Sequence, residues 1–166
     1  MYLHLPYPGG PVIDRMAKEG KHSYQLPLPM NDDSYHFSFS GLKSAVINLC
    51  HNASQRGEEI IPQDLACSFQ EVAVDVLVSK TIKAAQDYHV KQIIVAGGVS
   101  ANQGLRQALT KRSEIPVLFP PMRYCTDNAA MIASAARVMF EHQKFSSLDL
   151  MVKPSYDLEE ESLGES

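Results

Sequence analysis

"VAGGVSANQGLR", Val95 to Arg106, sets a pair of glycines between an apolar run and a helix-forming segment, and its reading decides the fold. Upstream, Gln92-Ile93-Ile94-Val95-Ala96 is short, apolar and β-branched, the pattern of a strand buried on both faces. Downstream, Ser100 is placed to cap a helix, Gln103 follows three residues later in a capping-box arrangement, and Leu105 and Leu109 recur at helical spacing. The unit is strand, glycine turn, helix. Gly97 and Gly98 have no Cβ, so positive φ and close approach of a flat or anionic group are both open to them. The same glycines also suit a plain strand-to-helix turn, and by themselves they do not choose.

Working outward, "LPYPGGPVIDRMAKEG" reads as a Pro8-Gly9 turn with positive φ at Gly9, then a short helix with Pro11 in its first turn and Gly20 at its stop. Lys21 to Asp33 reads as an irregular connection. In "HFSFSGLKSAVINLC", Phe37 and Phe39 alternate with Ser38 as in a strand, and Leu42, Val46 and Leu49 then share a helical face. His51 to Glu59 reads as a surface loop. Pro62 opens the longest helix, to about Tyr88, with Asp64 in the first turn and Leu65, Phe69, Val72, Val76 and Ile82 as its buried stripe. "IPVLFPP" gives a second short strand. A last helix begins at "CTDN", capped by Thr126 or Asp127, with Ile132, Ala135, Ala136 and Met139 turned to the sheet. The acidic tail from Pro154 is expected to be disordered. Strands alternating with helices indicate an α/β domain over residues 1–150, with a short, mainly parallel, helix-covered sheet. Ligands of such sheets gather at the carboxyl ends of the strands, which would bring Gly9, Gly10, Gly97, Gly98 and Asp127 to one cleft.

Composition narrows the class. The chain has 166 residues, 45% of them hydrophobic, and a net charge of −4, so no overall basic field draws nucleic acid and RNA would need local patches or partners. Cys50, Cys67 and Cys125 are odd in number and widely spaced, which suits reduced thiols. With no signal peptide and no apolar run of spanning length, a cytoplasmic protein away from membranes is expected.

Several side chains are candidates for chemistry, each with an ordinary alternative. Asp127 can cap a helix or hold a cation, but a metal site needs further ligands, and none of the histidines forms an H-x-x-x-H or H-E-x-x-H pair. Cys125 lacks a neighbouring histidine, and the preceding strand suggests burial, against a nucleophilic role. Asn102 can bond a ligand over the glycine turn or serve the turn itself. Asp14 can bind ribose hydroxyls or complement a helix dipole, and Lys43 can meet a phosphate or simply face solvent.

"PYPGGPVID", "FSFSGLKSAV" with "VAGGVSANQGLR", and "YCTDNAAMIA" closely resemble, in this order, signatures of the tRNA adenosine threonylcarbamoyltransferase family, the TsaD proteins formerly called glycoproteases. The resemblance runs from Leu5 to about Met139. It implies an actin-like ATPase (ASKHA) fold of two α/β lobes, of which this chain is the carboxy-terminal one. It also implies transfer of threonylcarbamoyl from its adenylate to the exocyclic amine of an adenosine beside the anticodon in tRNA. By the same resemblance Gly10, Asp14 and Asn102 contact the adenylate, and Asp127 is one ligand of an active-site divalent metal, iron or zinc. Such a metal supplies Lewis-acid stabilisation of the charge that develops as the amine attacks. The family's accessory proteins TsaB and TsaE are the implied partners.

The sequence also departs from that family. Its H-x-x-x-H metal pair and "GEAFDK" segment are absent, so the chain reads as a carboxy-terminal half, expected to be inactive alone and to retain metal weakly. A non-catalytic nucleotide- or partner-binding module and another actin-like ATPase or kinase are the competing classes. "CTDNAAMIA" and "FSFSGLK" speak against the latter, and nothing assembles a peptidase site.

Overall fold

The computed structural model describes residues 8–151, so the acidic tail from Pro154 lies outside the described residues. The chain divides into two compact units, Met1–Asp127 and Asn128–Ser166.

In the first unit the frame is a long helix. α1 spans Gly9–Glu19, α2 Ser40–Arg56, α3 Pro62–Asp87 and α4 Gln103–Arg112, with strands β1, Ile93–Ile94, and β2, Val117–Leu118. Pro62 begins α3 and Asp64 lies in its first turn, as their sequence positions indicate. Leu65, Val72 and Val76 of the expected stripe are buried, while Phe69 and Ile82 are half-buried. Burial also reaches Ala66, Cys67, Ser68, Val78 and Lys80, because α1 and α4 both pack on α3 and cover more than one side of it. Val78, Leu105 and Leu109 form the core, with Val95, Val117 and Phe119 closing it from the sheet side.

α1 rests on α3 at both ends of its length. Its start differs from the expected Pro-Gly turn. Pro8, extended at φ −77°, takes the N-cap, Gly9 opens the helix, and positive φ among the described glycines is confined to Gly57 and Gly97. Proline's fixed φ serves a cap as readily as a turn. Gly20 ends α1 at φ −90°, ψ 172°, a conformation open to any residue. Space requires glycine there: an added Cβ would run into the Gln63 carbonyl and lie 2.8 Å from the Asp64 nitrogen. The chain beyond is pinned to the same turn of α3. The Lys21 N–H (2.9 Å) and the Ser23 hydroxyl (2.8 Å) donate to the Asp64 carboxylate, which holds that carboxyl below its ordinary range. The Tyr24 hydroxyl accepts from the Ile61 N–H at 3.0 Å. Farther on, the Lys80 ammonium, only 8% exposed, reaches Asp32 Oδ1 and the Ser34 carbonyl, both at 2.7 Å.

Two expectations for the next segment are corrected. Residues 36–39 pair with no strand, and Phe37 is exposed, because alternation makes a strand only where a neighbour offers a ladder. The stretch from His51 is not a loop. α2 continues to Arg56, since Cys50 and Ala53 extend its buried face through polar surroundings, and it stops at Gly57 with φ 67°.

β1 and β2 pair in parallel, Ile93 opposite Val117 and Ile94 opposite Leu118, across α4. The Ile93 N–H donates to the Pro116 carbonyl (2.9 Å) and the Val95 N–H to that of Leu118 (3.0 Å). This right-sized strand–helix–strand unit bears out the parallel α/β reading, but β1 is shorter than residues 92–96 and is buried on one face only. Ile93 is 8% exposed and Ile94 71%. The two-stranded sheet turns Ile93 to the core and leaves Ile94 and Leu118 exposed.

In the second unit, α5 spans Ala129–Glu141. Its cap is Asn128, whose side chain accepts from the Met131 N–H at 3.1 Å, in place of the expected Thr126 or Asp127. Ile132, Ala135, Ala136 and Met139, expected to be buried, are exposed. Among the described residues this unit holds no second helix or strand to cover that stripe.

Candidate functional site

The glycine turn folds tighter than a strand-to-helix junction. Gly97 takes φ 83°, ψ 173°, and Gly98–Ala101 form one 3-10 turn, closed by Ser100 N–H to Gly97 O and Asn102 N–H to Val99 O, each 3.0 Å. The expected Ser100 capping box is therefore wrong. That turn takes up Gly98–Ala101, Ser100 is buried, and Asn102 becomes the N-cap of α4, accepting the Leu105 N–H on Oδ1 at 2.8 Å. Positive φ belongs to Gly97 and not to Gly98.

Asn102 also turns toward α1 and α3. Its Nδ2 donates to Gln70 Oε1 at 2.8 Å, and both side chains line a cavity of about 130 Å³ whose other walls include Gly10, Ile13, Phe69 and Val99. Gly10 and Asn102, far apart in sequence, thus meet. Asp14, one helical turn past Gly10, lies beside them: Oδ1 accepts the Gln103 N–H at 3.2 Å, and Oδ2 is 3.5 Å from Lys18 Nζ. One amide N–H of Asn102, a lone pair on its Oδ1, and remaining lone pairs on Asp14 are not used by these bonds. An apolar hollow with two side-chain amides on its wall and the Asp14 carboxylate nearby suits a ring or a sugar. It falls below the ~300–1,000 Å³ of an ordinary ligand cleft, so it encloses no more than a small group.

The expected single cleft at the strand ends is only partly formed. Gly97, Gly98 and Asp127 are not lining residues of this cavity, which lies between helices α1, α3 and the start of α4. Asp127 is exposed, and among the described residues no three His, Cys, Asp or Glu side chains are arranged to hold a metal ion. A single carboxylate does not fit a metal by itself. Lys43 is exposed on α2.

Cys125 is 2% exposed, the burial that the preceding strand suggested. Its Sγ receives the Arg106 Nη2 at 3.2 Å and lies 3.7 Å from the Pro121 carbonyl. Burial pushes the Cys50 and Cys67 thiols up, Cys67 with help from Glu71, so neither is an activated thiolate. All three cysteines are free.

Sequence reasoning missed Arg106. It sits one turn beyond Asn102, donates from Nε to the Ser100 carbonyl (2.6 Å) and from Nη2 to that of Pro120 (2.8 Å), and lies over the Phe119 ring at 4.9 Å. Four-residue spacing from the cap puts both side chains on one helix face, which was the only available signal.

Fold and site together define an α/β protein with a strand, glycine turn and helix, and a cavity between α1, α3 and the start of α4. The sequence profile of TsaD, tRNA N6-adenosine threonylcarbamoyltransferase, matches residues 1–134, and the chain belongs to that family. It is 57% identical over 161 residues to the tRNA N6-adenosine threonylcarbamoyltransferase of Bacillus licheniformis, covering 94% of this chain and 47% of that protein. The proteins of the same name from Bacillus anthracis (54%) and Halalkalibacterium halodurans (53%) each match over 95% of this chain and 47% of their own length. The chain thus spans about half the length of the curated relatives it matches. No helix among the described residues is long and apolar enough to cross a membrane.

Proposed function

We propose that this chain is the adenylate-holding part of a tRNA-modifying transferase, residues 1–150 forming the carboxy-terminal lobe of an actin-like fold. The reaction moves threonylcarbamoyl from threonylcarbamoyl-adenylate to an adenosine of tRNA in the cytoplasm. The observation that carries the reading is the meeting of Gly10 and Asn102 in one cavity, with Asp14 at its side.

Each residue type suits its part. The bare backbone at Gly10 lets the adenosine lie close, Asn102 offers its unused amide N–H and lone pair, and the Asp14 carboxylate accepts hydroxyl protons of the ribose. Orientation is the contribution of these groups: a held adenylate presents its carbamoyl carbon to the incoming amine. Asp127 offers one carboxylate to an iron or zinc ion whose other ligands come from outside the described residues, and tRNA and the accessory proteins TsaB and TsaE are the partners of the complete enzyme. The described residues alone do not fit a metal ion.

Calorimetric titration of the chain with ADP or a stable threonylcarbamoyl-adenylate analogue tests this. Asn102 has two duties, so two variants separate them. Asn102→Asp keeps the acceptor for the Leu105 N–H and loses the amide donor, whereas Asn102→Ala loses both and costs about 1 kcal/mol of helix capping besides. Both should weaken binding by about fivefold to tenfold for one lost hydrogen bond, while Cys125→Ser leaves it unchanged. Full affinity in Asn102→Asp and Asn102→Ala, or its loss in Cys125→Ser, would move the adenosine site elsewhere.

A further inference from the structure

Two segments that carry candidate site residues are held together by one side chain. Arg106 is rooted in α4, and its guanidinium donates back to the glycine turn at the Ser100 carbonyl (2.6 Å) and outward to the Pro120 carbonyl (2.8 Å) and Cys125 Sγ (3.2 Å). Phe119 lies against its face at 4.9 Å. Met122–Tyr124 form one 3-10 turn, Pro120 and Pro121 donate no backbone N–H, and Met122, Arg123, Tyr124, Thr126 and Asp127 are exposed. Cys125 alone is buried, and it is buried against Arg106.

From this we infer that Arg106 is a positioning residue. It locks the Pro120–Asp127 segment onto the Gly97–Asn102 turn and so fixes the Asp127 carboxylate relative to the adenylate cavity. The role in catalysis rests on the function proposed above; the lock itself does not. A planar fork is needed because the acceptors lie in different directions, and a lysine, with one nitrogen on a flexible stem, cannot reach them all.

Hydrogen exchange read by mass spectrometry tests the lock, together with site-resolved alkylation of the three thiols, on the 166-residue chain. In Arg106→Gln, the amides of Tyr124 and Cys125, bonded to the Pro121 and Met122 carbonyls, should exchange about tenfold faster, and Cys125 should be alkylated about tenfold faster. Cys50, Cys67 and the α3 amides should keep their rates. Arg106→Lys should fall between the two proteins, and it replaces Arg106→Gln in the comparison if the latter does not fold. A general loss of stability would instead speed all three thiols together, and that result overturns the proposal, as does an unchanged Cys125 rate. ADP affinity in either variant should stay within about twofold of the parent chain, because Asn102 keeps its own bonds to Leu105 and Gln70. If the parent chain binds no ADP, the functional reading fails while the exchange and alkylation results still decide the lock.

Discussion

Replacing Gly20 with alanine adds one methyl group and should move an entire helix. The new Cβ would meet the Gln63 carbonyl carbon and oxygen inside van der Waals contact and the Asp64 nitrogen at 2.8 Å. Overpacking costs about 1–3 kcal/mol when side chains can swing aside. Here the opposing atoms are backbone in the first turn of α3, which cannot rotate away, so the upper end, about 3 kcal/mol, is expected. At about 2–4 °C per kcal/mol for a chain of this size, the melting midpoint should fall by about 6–12 °C. Relief by retreat of α1 would also strain the Lys21 and Ser23 bonds to Asp64 and withdraw Gly10 and Asp14 from Asn102 and Gln103. ADP affinity should therefore fall although residue 20 touches no ligand. Thermal melts followed by circular dichroism, with calorimetric titration below the transition, measure both. A midpoint within about 1 °C of the parent would refute the claimed close approach of α1 to α3.

Gly10→Ala should do the reverse for stability: nothing lies within 4 Å of the added methyl, and alanine favours a helix over glycine by about 0.5–1 kcal/mol. Its melting point should rise while nucleotide affinity falls; a rise in both would separate Gly10 from the binding surface. For pH, Lys80 first and then Ser34 hold the Asp32 carboxyl down to about 2, against an ordinary value of 3.8. A depressed carboxyl contributes stability that is present above its unfolded value and is lost as pH falls through its folded one. Melting midpoints should accordingly decline between about pH 4 and pH 2, and less steeply in Asp32→Asn; equal slopes in the two proteins would contradict the pairing. Finally, the purified chain, freed of any full-length host enzyme, should transfer no threonylcarbamoyl to tRNA and retain no stoichiometric iron or zinc after dialysis. Turnover or tightly held metal would overturn that expectation.

The parts of the fold legible in the sequence are those set by local chemistry. Pro62 and Asp64 mark the start of α3, and the apolar pairs at Ile93–Ile94 and Val117–Leu118 mark parallel strands around α4. What escaped reading depends on distant neighbours. The Phe37–Phe39 alternation looks like a strand until no ladder stands beside it among the described residues, and the apolar stripe of α5 looks like a core face although its side chains are exposed. Ser100 and Asn102 compete for one cap, and a 3-10 turn decides between them without any sequence sign. Gly10, Asp14 and Asn102 stand out as candidates through family motifs, but their meeting depends on α1 lying over α3, which no local pattern encodes. Arg106 stayed hidden because its partners are two backbone carbonyls and a thiol; of these only Cys125 leaves a mark in the sequence.

The dependence of α1 on α3 has a consequence for how the protein is made. α1 is 11 residues long, too short to hold a helix in water by itself, and its support arrives later in the chain. At a synthesis rate of ~5–20 residues per second, α1 leaves the ribosome several seconds before Asp87 completes α3. Throughout that interval the Gly10–Asp14 wall of the cavity has nothing to lean on. It takes shape only after α3, which is made later in the chain, has left the ribosome.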